Sequence, residues 1–118
     1  MRSKSILFRL NDIVRAIDGA IATVGTNDFE AFQTTFYMQR TVERCIEIVS
    51  EATRHLPPEL KQQYPDIPWQ PIAGIGNILR HDYDIVDEHV IWEIVTVHFP
   101  QLRQAIVELR LRLPNDDT

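Results

Sequence analysis

Cysteine is almost missing from this chain of 118 residues: Cys45 stands alone, which excludes an internal disulfide and a thiolate metal cluster. Long apolar runs are missing too. The longest covers a few residues, far short of the roughly 20 that a membrane-spanning helix needs. No stretch alternates apolar and polar residues over a useful length, which removes the usual mark of a half-buried strand. Glycine is scarce, and Gly74-x-Gly76 has neither a preceding strand nor a third glycine, so it is no phosphate cradle. Lysine is rare: ten of the twelve basic residues are arginines. The net charge of −5 and pI near 5.3 argue against broad electrostatic capture of nucleic acid. They leave room for a local patch of arginine forks. The N-terminal stretch has polar residues every few positions and no small-residue cleavage site, so it reads as a helix and not as a signal peptide. With one free thiol and no apolar span, a reducing cytoplasm is the expected compartment, with no membrane association.

What is present suits one helical domain over residues 1–118. Apolar residues make up 44% and charged residues 25%, the proportions of an ordinary globular protein. Between Ile6 and Val24, apolar residues recur at steps of three and four (Ile6, Leu7, Leu10, Ile13, Val14, Ile17, Ile21, Val24), with Arg9, Asp12, Arg15 and Asp18 on the outer face. Gly25 is placed to end this helix in a left-handed cap. Asn27 or Asp28 then caps a second helical stretch from Phe29 to His55, with a break expected near Phe36-Tyr37. Its buried candidates include Phe32, Val42, Ile46, Val49 and Ala52, whereas Glu43, Arg44 and Glu47 read as solvated or inter-subunit charges. Pro57-Pro58 stops it and opens a short helix from Glu59 to Tyr64. Asp87 caps a helix to His98, and Phe99-Pro100 is expected to break or kink it before Leu102 to Leu113. Residues 114–118 read as a frayed tail. The fold class predicted is all-α, an up-and-down bundle of four to five helices.

The chemistry concentrates between Gly74 and Asp87, GIGNILRHDYDIVD. On a helix, Asn77, Arg80, His81 and Asp84 stand at i, i+3, i+4 and i+7 and share one polar stripe. Ile72, Ile75, Ile78 and Leu79 fall opposite and can enter a core. The His81-Asp82 dipeptide also occurs in helical metal phosphohydrolases, but a metal would need more ligands from other helices. No metal or cofactor is therefore expected. Trp69 and Trp92 read as core aromatics.

From about Ile6 to Leu111 the chain resembles the HepT-like family of the HEPN superfamily. The resemblance runs through Val42-Glu43-Arg44-Cys45-Ile46-Glu47-Ile48, Glu51-Ala52, Trp69, Gly74, Asn77 and His81-Asp82-Tyr83. It continues through Val86-Asp87, Trp92-Glu93-Ile94-Val95 and Pro100-Gln101-Leu102. It implies an all-helical homodimer, akin to nucleotidyltransferase substrate-binding subunits. The expected partner is a MntA-like minimal nucleotidyltransferase antitoxin, in a type VII-style toxin–antitoxin pair. It further implies an RNase whose Arg-x4-6-His site lies near the dimer interface, and whose His-x-Tyr tyrosine the antitoxin adenylylates. Carried over, His81 is the motif histidine, Tyr83 the modified tyrosine and Asn77 the supporting asparagine. The motif arginine falls on Gly76, and the only arginine nearby is Arg80.

Metal-independent RNA cleavage needs a base for the 2′-OH, an acid for the 5′-oxygen and positive charge at phosphorus. An imidazole, with an ordinary pKa of about 6.5, suits the first two and Arg80 the third. Asp84 is the candidate orienter of Arg80. The bland readings are a helix-end histidine, an i,i+4 Arg80–Asp84 surface pair and a half-buried tyrosine. The non-enzymatic alternative is a nucleotidyltransferase partner or substrate-binding subunit, without chemistry of its own.

Overall fold

The computed structural model describes residues 2–113, the side chains of residues 2–4 and of Tyr83 excepted; the tail at 114–118 lies outside the described residues. The first helix, α1, runs Arg2–Val24. Leu10, Ile13, Val14, Ile17, Ala20 and Val24 form its buried stripe, while Leu7 and Ile21 are exposed. Gly25 ends it with φ +54°, its N–H donating to Ile21 O at 2.8 Å, as the left-handed cap requires.

Helix α2 is short, Phe29–Thr34, and Asp28 caps it by accepting from the Ala31 N–H at 2.9 Å. The break then falls at Thr35, one residue before the expected aromatic pair, and α3 runs Phe36–Arg54. Gln39 explains why the break is tolerated. Its buried side-chain amide donates to Gln33 O at 2.7 Å and to Phe32 O at 2.9 Å, the latter also accepting from the Thr35 N–H at 3.3 Å, so carbonyls at the end of α2 are bonded across the interruption. Phe36 and Tyr37 point into solvent.

Helix α4 is a single turn, Pro58–Lys61, with Pro58 in the first turn. The Trp69 indole N–H fixes the loop that follows, donating to Lys61 O and Tyr64 O at 3.0 Å each. Helix α5 spans Trp69–Asp82 and tightens into a 3-10 turn at Tyr83–Ile85. Asp87 caps α6, Glu88–Glu93, by accepting from the His89 N–H at 2.8 Å.

At Phe99-Pro100, where a break or kink is expected, the helix is distorted but not interrupted. A π-helical segment, Ile94–His98, joins α6 to α7, Phe99–Arg112, and the joints keep helical angles, as at Phe99 with φ −63° and ψ −43°. Proline lacks an N–H and its ring crowds the carbonyl four residues back. A wider turn before it removes that conflict without leaving the helix.

In space α1 packs on α3 and α7, and α3 packs on α5. The core joins Leu10, Ile13, Ile17, Phe32, Ile46, Ile91, Leu102 and Ile106, all almost fully buried. Phe32 and Phe29 pack against Trp92, which ties the α2 turn to α6. Among the described residues there is no strand, and no helix is long and apolar enough to cross a membrane. The architecture is an all-α bundle.

Candidate functional site

Helix α5 lies against α3 through a contact that decides what its last turns can present. Ser50, wholly buried, donates to Ala73 O at 2.7 Å and accepts from the Gly76 N–H at 3.1 Å. A Cβ at Gly76 would lie 2.5 Å from Ser50 Oγ and 2.6 Å from Ser50 Cβ. Gly76 therefore turns inward to α3, and the backbone there approaches as closely as glycine allows. Gly74, by contrast, faces open space.

With Gly76 and Leu79 inward, Asn77, Arg80, His81, Asp82 and Asp84 are all exposed. Ile78 does not join the core; it is 43% exposed, on the outer edge of the helix. The polar residues do not share one surface evenly. Arg80 reaches into a groove of about 380 Å³ between α1, α3 and α5, with Arg9, Asp12, Arg44, Glu47, Ile48, Glu51 and Ala52. Asn77, His81 and Asp84 are not among its walls. No ion pair joins Arg80 to Asp84, and among the described residues Arg80 and His81 each make no side-chain hydrogen bond or ion pair. Tyr83 has its backbone in the 3-10 turn, and its side chain lies outside the described residues.

The charges on the groove floor are mostly paired. Arg44 meets Glu47 at 3.2 Å with its own side chain still 69% exposed. Glu51 is held by His55 and Arg54, which push its carboxyl down to about 2. Further along α3, burial pushes Glu43 up, only partly offset by Arg40 at 2.9 Å. Burial likewise pushes the Cys45 thiol up, so it is a poor nucleophile. Among the described residues no three His, Cys, Asp or Glu side chains converge to hold a metal.

The groove is what the sequence concealed. Arg9 and Asp12 read as the outer face of one helix and Arg44 as a solvated charge on another. No local spacing joins them to Arg80.

A family model described as ribonuclease HepT-like matches residues 12–109. This chain belongs to the HepT-like family. A HepT-like protein of Thermococcus cleftensis, provisionally named ribonuclease HepT, is 34% identical over 86% of this chain and 92% of its own length. A Caldanaerobacter subterraneus protein provisionally named an RNase is 31% identical, over 85% of this chain and 89% of that protein. One from Methanocaldococcus jannaschii, likewise provisionally named an RNase, is 30% identical over 92% of this chain and 94% of its own. No solved structure gives a significant match. Membership in the HepT-like family makes this chain a member of a ribonuclease family.

Proposed function

We propose that the protein is a metal-independent endoribonuclease, the toxin of a toxin–antitoxin pair. The observation that carries this reading is an Arg80 without a side-chain partner among the described residues, directly before an exposed His81 at the end of α5. His81 takes the proton from a ribose 2′-OH, and the oxygen attacks the adjacent phosphorus. Arg80 meets the charge that builds on the non-bridging oxygens. The P–O5′ bond breaks, and an imidazolium returns a proton to the leaving oxygen, giving a 2′,3′-cyclic phosphate and a 5′-OH. In a homodimer the partner's His81 supplies that proton. Asn77, one turn before His81, supports the site, and Asp84 bounds it without neutralising Arg80.

An apolar surface supports the dimer. Ile72, Ile75, Val90, Ile94 and Phe99 line a cleft of about 210 Å³ between α3, α5 and the α6–α7 helix, and Ile78 lies exposed on α5 and Val97 on the α6–α7 helix. Silencing works through Tyr83: a MntA-like nucleotidyltransferase antitoxin adenylylates its hydroxyl, which adds a bulky phosphodiester anion to the residue two positions after His81 and three after Arg80.

One observation favours a second reading. The position of the family arginine is Gly76, packed on Ser50 with no room for a side chain. A non-catalytic partner subunit of a nucleotidyltransferase fits that loss.

Cleavage of total tRNA in excess EDTA separates the two. Cleavage by the wild type that disappears in His81→Ala and Arg80→Ala is the expected result. Equal cleavage by all three, or none by any, removes the ribonuclease reading and leaves the partner subunit. Incubation with the transferase and ATP then reports, by mass, whether Tyr83 gains AMP.

A further inference from the structure

We infer that the groove between α1, α3 and α5 is a phosphate track, along which a single strand of RNA runs away from the His81 end. The inference rests on the ribonuclease reading and adds a binding site to it. Ala73 lies against Arg54, and Gly76 against Ser50 and Glu47, so α5 runs antiparallel to α3 and carries Arg80 toward Arg44; Gly19 of α1 lies against Cys45, so Arg9, ten residues back on α1, falls toward Ala52. Their separation follows from the floor, where the lining runs on α3 from Arg44 to Ala52. Eight residues at 1.5 Å each give about 12 Å, the length of a short run of nucleotides and more than one phosphate needs.

Two of these arginines are free to bind. Among the described residues the side chains of Arg9 and Arg80 make no ion pair and no hydrogen bond. Arg44 holds Glu47 with one contact and keeps most of its side chain in solvent. Glu51 is already occupied by His55 and Arg54 and competes little for a cation. Asp12 is the one lining carboxylate without a cation partner among the described residues, and it opposes an incoming phosphate.

The rest of the lining sets the kind of recognition. Ile48 and Ala52 offer no ring on which a base can stack, and among the described residues no aromatic lines the groove. Binding comes from the backbone charge of the strand, so it is steeply salt-dependent and indifferent to sequence.

The test is fluorescence anisotropy of labelled oligouridylate and of a mixed-sequence RNA with the intact chain carrying His81→Ala, which prevents turnover. Adding Arg9→Gln is expected to weaken both RNAs severalfold and alike. It should flatten the slope of log K against log salt by about 0.7, the loss of one single-strand phosphate contact. Adding Asp12→Asn is expected to tighten both. Unchanged affinity and slope in both variants overturn the track, and wild-type cleavage of a dinucleotide then shows whether the His81 site survives by itself. Absence of RNA binding by every form overturns the track and the ribonuclease reading together. Loss of a protein partner on Arg9→Gln, with RNA binding intact, reassigns the groove to that partner.

Discussion

Ser50 and Gly76 are fitted to one another across the α3–α5 contact: the serine hydroxyl takes the space of a Cβ and bonds both Ala73 O and the Gly76 N–H. This pairing sets the rotation of α5. It turns Gly76 inward and brings Arg80 to the groove, with His81 facing solvent.

Gly76→Ala is therefore expected to destabilise the fold. Overpacking costs about 1–3 kcal/mol, and the better helix propensity of alanine returns roughly 0.5–1 kcal/mol. The thermal midpoint should fall by about 4–8 °C for each kcal/mol lost. Ser50→Gly in the same chain should recover part of the loss. A Gly76→Ala midpoint at or above the wild type would show that the contact is loose.

Under the proposed ribonuclease mechanism, which places the Arg80 charge at the pentavalent phosphorus, Arg80→Ala should lower kcat by roughly 10²–10³ with a smaller effect on KM. Arg80→Lys restores a point charge without the fork and should fall between the two. Single-turnover cleavage of a dinucleotide reads this directly, and equal rates for all three proteins would dismiss Arg80 from the chemistry.

Glu51 gives a pH signature. Its folded carboxyl is held at about 2, below the ordinary 4.5, by His55 and Arg54. A depressed carboxylate adds stability that is present above the unfolded value and lost as pH falls through the folded one. Denaturant midpoints of wild type and Glu51→Gln should differ at neutral pH and converge between pH 4.5 and about 2. A gap that stays constant across that range would assign the effect to packing.

Phe32→Ala should cost about 3–5 kcal/mol, since the ring is almost fully buried and meets Trp92 and Phe29. Urea unfolding measures it. A loss below about 1 kcal/mol would mean that the α2 turn collapses readily into the cavity.

Trp69→Phe keeps most of the apolar surface but removes the donor shared by Lys61 O and Tyr64 O. A cost of about 1 kcal/mol is expected, together with faster amide exchange in α4. Unchanged exchange there would separate the loop from the indole.

The helices were legible because their signals are local. The stripe of α1 follows from three- and four-residue spacing, Gly25 from the backbone of its cap, and Asp28 and Asp87 from side chains bonded within their own first turns. The HDY element and its neighbours were likewise sufficient to assign the family. The break expected near Phe36-Tyr37 came one residue earlier, at Thr35, where the Gln39 amide bonds the end of α2, and at Phe99-Pro100 a π-helical segment carried the chain through without interruption. Tertiary structure alone decided the groove. Arg9, Arg44 and Arg80 lie on three helices, and only the rotation set by Ser50 against Gly76 brings them to one surface. Periodicity fixes which residues share a helix face, but the partner of that face depends on packing between residues far apart in the chain.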